Sequence, residues 1–328
     1  MPLSLRRGKV TAVLEQHKGF LRLEVDGSAC VAYPGLTGPV ALDDDVLVNV
    51  QARELGLGSG GFDVVYANLT RGLDLPAEPG AHVMKLPYTP LQAAVRHVEE
   101  DGPLAESLDG MPVVCCSLHS QLAPVCAALG SDLRTAYLQL PGGALPVSLS
   151  DAVRALKDRH LLEVAVAVGA CIAGDVHAVT PASALAWACE AGFDALVCGV
   201  GPGIVGTGTT LGHGGLAAAE AANTAAALGG AAIIVVRMSE SDPRSRHQGV
   251  SHHTRAVVEL TGGQAIVAWP SAVEAPDWLG AHQDVDVAGW QEACSGLPLS
   301  HMGRGPEEDP LFFAAAYAAG AHARTLLG

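Results

Sequence analysis

Lysine and aromatic side chains are scarce in this sequence. Lys9, Lys18, Lys85 and Lys157 are the only lysines among 328 residues. The half of the chain after Lys157 therefore supplies neither a Schiff-base lysine nor the lysine of a Walker-type phosphate loop. Aromatic residues make up 4% against 49% hydrophobic residues overall, so the core has to be built mainly from Ala, Val and Leu. That composition suits helices packed on a parallel sheet. No CxxC pair occurs among the 8 cysteines, and Cys115, Cys116 and Cys198 fall in strand-like runs, so the thiols read as buried and free in a reducing cytoplasm. Apolar runs are broken by Glu163, or by Glu220 and Asn223, or stop at His322, all short of spanning length. The N-terminus lacks an apolar core followed by a cleavage site, and the expectation is a soluble cytoplasmic protein. Positive charge is also short. A formal net charge of −15 argues against nucleic acid and anionic membranes as partners, and leaves room for a local basic pocket that takes a small anion.

Up to about Leu69 the chain alternates in short segments, Lys9 to Leu14, Phe20 to Val25, Ala29 to Tyr33, Val46 to Val50 and Phe62 to Tyr66. Turn signals separate them, including Asp26-Gly27, Pro34-Gly35 and the glycines 56, 58, 60 and 61. Five such strands without a long helix predict a small β-barrel-like domain over 1–75. Pro76, Pro79, Pro87 and Pro90 mark an extended connection over 76–107. From Leu108 the rhythm becomes strand, loop, helix, with strands predicted at Pro112 to Ser117, Thr135 to Leu140, Glu163 to Val168, Ala195 to Cys198, Ala231 to Val236 and Ala265 to Trp269. These six runs are apolar on both faces and predict an α/β domain over 108–328, an open mainly parallel sheet flanked by helices in Rossmann-like layers.

In such a sheet ligands bind outside the carboxyl ends of the strands. Five strand exits then open on one edge: 117–120, 141–144, 174–177, 199–215 and 237–253. The loop after Cys198 contains a formal GxGxxG at Gly201, Gly203 and Gly206, but no helix is plausible until after His213-Gly214-Gly215, which weakens a dinucleotide reading. Its backbone N–H groups with Thr207, Gly208 and Thr209, and those of Gly142 and Gly143, are candidate anion ligands; the loop after Cys198 also reads, as the lesser alternative, as a flexible crossover or a site of close backbone packing. The segment Arg237 to Arg255, RMSESDPRSRHQGVSHHTR, gathers four arginines and three histidines in an acidic protein. Arg244 and Arg246 are candidate anion clamps, and His252 and His253, with His119, candidate acid/base or metal-binding groups. Their spacing matches no established metal motif, HExxH is absent, and Ser251 to Thr254 reads equally as a helix N-cap with exposed histidines. Ser117 and Ser120 lack a GxSxG elbow. The loops after Cys198 and Val236 should be neighbours, on adjacent strands, and should carry the main polar pocket.

Several blocks together resemble an uncharacterised bacterial family, domain of unknown function 3866: LGLGSGG at Leu55 to Gly61, HVMKLPYTPLQ at His82 to Gln92, LDGMPVV at Leu108 to Val114, GGALP at Gly142 to Pro146, GPGIVGTGT at Gly201 to Thr209 and RHQGVSHH at Arg246 to His253. The resemblance implies a full-length family member and brings no reaction with it. From the residues, the leading expectation is an enzyme acting on a small phosphate- or carboxylate-bearing metabolite. A non-catalytic sensor or binding module comes second, and a dinucleotide-dependent oxidoreductase third. Cofactor, metal and homo-oligomerisation stay open.

Overall fold

The computed structural model describes residues 3–56, 60–71 and 75–328; positions 57–59 of the glycine run lie outside them. The chain forms two compact units, Met1–Arg96 and His97–Gly328.

In the first unit, β1 (Leu5–His17), β2 (Phe20–Val25), β3 (Ser28–Ala32), β4 (Asp45–Asn49) and β5 (Asp63–Asn68) close into a barrel in the order β1-β2-β3-β5-β4. Single helical turns, α1 (Pro34–Thr37) and α2 (Gln51–Glu54), flank β4. Alternation of side chains sends Val10, Leu23, Val25, Val46, Val48 and Val65 inward. Asp26 and Gly27 both take positive φ, 49° and 73°, the backbone of a tight hairpin between β2 and β3. Within the proline-marked segment, β6 (Val83–Lys85) and β7 (Ala93–Val95) pair antiparallel.

The second unit is an eight-stranded, all-parallel sheet. Its strands are β8 (Pro112–Cys116), β9 (Thr135–Leu140), β10 (Val164–Val168), β11 (Val176–Ala178), β12 (Ala195–Val200), β13 (Ala231–Val235), β16 (Ile266–Pro270) and β17 (Gln283–Val285). Their spatial order is β11-β10-β9-β12-β8-β13-β16-β17. Between β13 and β16 the two-residue strands β14 (Met238–Ser239) and β15 (Gly249–Val250) pair antiparallel and draw the basic segment into a closed loop. Strands β11 and β17 are the two that the sequence reading lacks. In the connection from β10 to β11 the Asp175 carboxylate accepts from Ala165 N at 2.7 Å and pairs with Lys157 at 2.6 Å.

Burial on both faces explains the apolar strand sequences. Val114, Cys116, Tyr137 and Val197 face α3 (Leu122–Leu129), α4 (Asp151–Asp158) and α9 (Pro310–Thr325), whereas Val113, Cys115, Leu138 and Leu196 face α5 (Pro181–Glu190), α6 (Ala217–Ala227) and α7 (His252–Leu260). The short α8 (Trp290–Ala293) joins the first group through Trp290. Every cysteine is a free thiol, and all but Cys189 are buried. Among the described residues no helix is long and apolar enough to cross a membrane.

The order corrects one expectation. Strands β12 and β13, consecutive in the strand-helix rhythm, are not adjacent, because β8 lies between them. The chain leaves β8 outward to β9, β10 and β11, and returns to insert β12 beside its starting point.

A glycine sets how closely α9 approaches α3. A Cβ on Gly320 would sit 2.2 Å from Val125 O, so Gly320→Ala forces the two helices apart. Alanine gains about 1 kcal/mol of helix propensity, while overpacking costs about 1–3 kcal/mol. A net loss of stability is expected, read as a lower urea midpoint at unchanged m-value.

Candidate functional site

Connections leave β8 toward the α3 face, and those from its neighbours β12 and β13 run to the opposite face. The connections from the carboxyl ends of these three strands thus leave on opposite faces of the sheet, the kind of switch point at which open α/β sheets bind ligands.

One wall is built of backbone against backbone. A Cβ on Gly143 would lie 2.2 Å from Gly201 O, one on Gly201 2.1 Å from Ala144 O, and one on Gly142 2.7 Å from Gly214 O. The same contacts carry hydrogen bonds from Ala144 N to Pro202 O at 2.8 Å and from Val205 N to Gly142 O at 2.9 Å. Gln139, buried in β9, donates from Nε2 to the carbonyls of Ala144 and Leu145. Gly142, Gly143 and Gly201 thus have a packing role. Gly203, Gly206 and Gly208 lie on the exposed outer stretch. There Thr207 and Thr209 satisfy each other, hydroxyl to hydroxyl at 2.8 Å, and close on Gly212. The loop does not form the tight strand-to-helix turn of a dinucleotide site, since α6 begins only at Ala217.

Opposite this wall the basic loop is organised by Asp242, which is fully buried. Arg244 grips it with Nε at 2.9 Å and Nη2 at 2.8 Å, Arg304 reaches it at 3.3 Å and Arg237 at 3.5 Å. Arg304 also pairs with buried Asp309 at 3.1 Å, and Asp309 accepts from Ser239 Oγ at 2.6 Å. The Arg244 side-chain hydrogen bonds, helped by the Arg244 backbone N–H, outweigh the opposing effect of burial and leave the Asp242 carboxyl well below its ordinary value. The bidentate fork of Arg244, expected to clamp a ligand, is therefore engaged inside the protein. Arg246 is exposed and has no hydrogen bond or ion pair among the described residues. Arg237 is only 3% exposed and its Nε has no partner; burial, then neighbouring Arg244, lowers it to about 10.

Beside the arginines four imidazoles meet. The ring centres of His247, His252 and His253 are separated by 5.0 Å (247 to 252), 4.9 Å (247 to 253) and 4.4 Å (252 to 253). His213, at the end of the glycine loop, stacks on His253 at 3.6 Å, so the loops after β12 and β13 do meet, across the end of β8. Ser251 caps α7, its Oγ accepting from His253 N at 3.2 Å and pairing with His247 Nδ1 at 2.7 Å. Side chains from adjacent helical residues usually diverge, but at the first turn of α7 the folded-back His247 turn brings them together. Burial, with Arg237 and Arg244, pushes His247 down to about 3. Burial and then His213 drive His253 lower still. These rings are neutral at pH 7.

His119 stands apart from this cluster in its bonding. Its Nδ1 faces Val200 O at 3.2 Å and its Nε2 pairs with Ser150 Oγ at 2.7 Å, while that hydroxyl caps α4 by accepting from Val153 N. Both ring nitrogens tie β12 to α4, a positioning role. Ser120 meets His301 Nδ1 at 3.2 Å, yet His301 lies flat on Phe312 and its Nε2 has no partner to orient it as a base. His301, Arg304 and Asp309, absent from the sequence reading, come from the segment preceding α9. A cavity of 580 Å³ is lined by Trp290, Cys294, Leu297, Leu299 and Pro310 among others, and by none of the predicted site residues.

Asp242→Asn leaves three guanidinium groups around a neutral amide. A loss of about 3–5 kcal/mol is expected at pH 7. Because the folded-state carboxyl lies below 3.8, its contribution is complete above that pH and fades as pH falls toward the folded value. Urea denaturation of both proteins should show the difference between them shrinking in that acid range, and a constant difference would contradict this assignment.

No curated protein matches the chain in sequence. The family model described as protein of unknown function, DUF3866, matches residues 29–320, spanning β3, β4 and β5 of the barrel and nearly all of the parallel-sheet unit, and the chain belongs to that family.

Proposed function

We propose that this protein is an enzyme for a small phosphate- or carboxylate-bearing metabolite, bound at the carboxyl edge over β12, β8 and β13. The observation that carries the reading is the imbalance of the buried network. Among the described residues Arg237, Arg244 and Arg304 share only Asp242 and Asp309, and Arg246 adds a further positive charge beside them. One buried donor, Arg237 Nε, is left without an acceptor. Buried donors are ordinarily paired, and an anionic oxygen supplies both the missing acceptor and the missing charge.

In this reading Arg246 meets the anion at the rim and Arg237 at the base, with the exposed backbone of 203–208 along the mouth. Arg244 acts indirectly by holding Asp242. His252 is half-buried with its Nε2 free of any partner. With no ion bound to it, it is the imidazole placed to hold or pass a proton at a ligand bound against the arginines, which favours an enzyme over a passive binding module.

Phosphate should raise the melting temperature, the stabilisation reaching about 2.7 kcal/mol at a hundredfold excess over Kd. Arg246→Ala should weaken phosphate binding by about ten- to a hundredfold, the range of a charged hydrogen bond. Arg255→Ala, which removes an exposed pair with Glu259, should leave it unchanged. Equal stabilisation of all three proteins by phosphate would reject the site.

A further inference from the structure

The histidine triangle has a geometry that anion binding does not require. We infer that His247, His252 and His253 form a binding site for a divalent transition-metal ion of the zinc class. One ligating atom from each residue can be chosen so that all lie within 4.8 Å of one another. Three imidazoles around one zinc-type ion, at about 2.0–2.1 Å from each nitrogen, have ring centres roughly 5 Å apart. The observed separations are 4.4, 4.9 and 5.0 Å, with interplanar angles of 54°, 79° and 39°. Stacked packing looks different, as the 14° His213–His253 pair shows.

The donors are in a suitable state. His252 Nε2 is buried with no hydrogen-bond partner, and a lone pair left bare in a protein interior is costly unless something accepts it. His247 Nδ1 is paired with Ser251 Oγ, which fixes the ring and leaves Nε2 for the ion, the usual support of a metal-binding histidine. Arg237 Nη1 donates to His253 Nδ1 at 3.2 Å, so the ion competes with Arg237 for that ring, and the released guanidinium is turned toward the anion. A donor set of three nitrogens selects zinc, cobalt, nickel or copper over magnesium and calcium, which require oxygen. Three protein ligands also leave a coordination position open, as in catalytic rather than structural sites. The surrounding arginines oppose a bare cation, so an anion on the open position and the ion stabilise each other, and phosphate should tighten metal binding as metal tightens phosphate binding.

The test is titration of the chelator-treated, full-length protein with Co2+ alone, followed by visible absorption and calorimetry. One Co2+ per chain with the absorption of a low-coordinate site is expected, displaced by Zn2+. His252→Gln, at a half-buried position, should lower affinity at least tenfold with an unchanged circular dichroism spectrum, and His247→Gln with His252→Gln should abolish binding. His160→Gln, exposed on another loop, should have no effect. Absence of Co2+ binding at millimolar concentration, or equal binding by wild type and the double variant, overturns the inference. Phosphate stabilisation measured in EDTA reports the anion contact alone. If that stabilisation persists without metal binding, only this inference fails; if Co2+ binds and phosphate has no effect, only the anion reading fails.

Discussion

A single buried carboxylate, Asp242, holds the carboxyl edge of the sheet together. A charge removed from water survives only with close partners, and Asp242 draws in three, one from the end of β13, one from its own loop and one from the segment before α9. The loop between β14 and β15, residues 240–248, is fixed from inside by this contact. Arg237 is held at its base, and the turn carrying His247 is folded back over the start of α7. The imidazoles converge because the arginines beneath them are anchored.

The arginines act on the histidines in turn. Burial is the largest influence on each ring, and the neighbouring guanidinium groups push further in the same direction. Neutral imidazoles beside fixed positive charge make a site with two complementary capacities, lone pairs for an electrophile and N–H donors for an anion. Few arrangements place both within one crevice without neutralising one by the other. Here Asp242 and Asp309 absorb only part of the positive charge.

Much of this architecture was legible from the chain alone, for physical reasons that also explain the gaps. Hydrophobic period is a local property, so the barrel strands and the long parallel strands could be read within a few residues. Strands β11 and β17 are three residues each and leave too little pattern. The insertion of β12 beside β8 depends on where a chain returns after eighty residues, which no local pattern encodes. The basic island was visible as composition, but the state of Arg244 was not inferred, although a local signal existed: Asp242 Oδ1 accepts from Arg244 N at 3.0 Å, the turn that an Asp-Pro-Arg run favours. His301, Arg304 and Asp309 join the network from over 50 residues away, and nothing near them announced it.

The interlocked glycines of the opposite wall have a consequence for how the family can vary. Gly142, Gly143, Gly201 and Gly214 bring two connections so close that no side chain fits between them, and these connections therefore behave as one mechanical piece carrying His213 against His253. Length changes between Gly201 and Val205, or between Gly142 and Ala144, would break that register. Additional residues can enter only where the chain swings free of it, at the exposed tip from Thr207 to Leu211. Changes of length among relatives are thereby channelled to that exposed tip, while the interlocked stretch beneath it stays fixed.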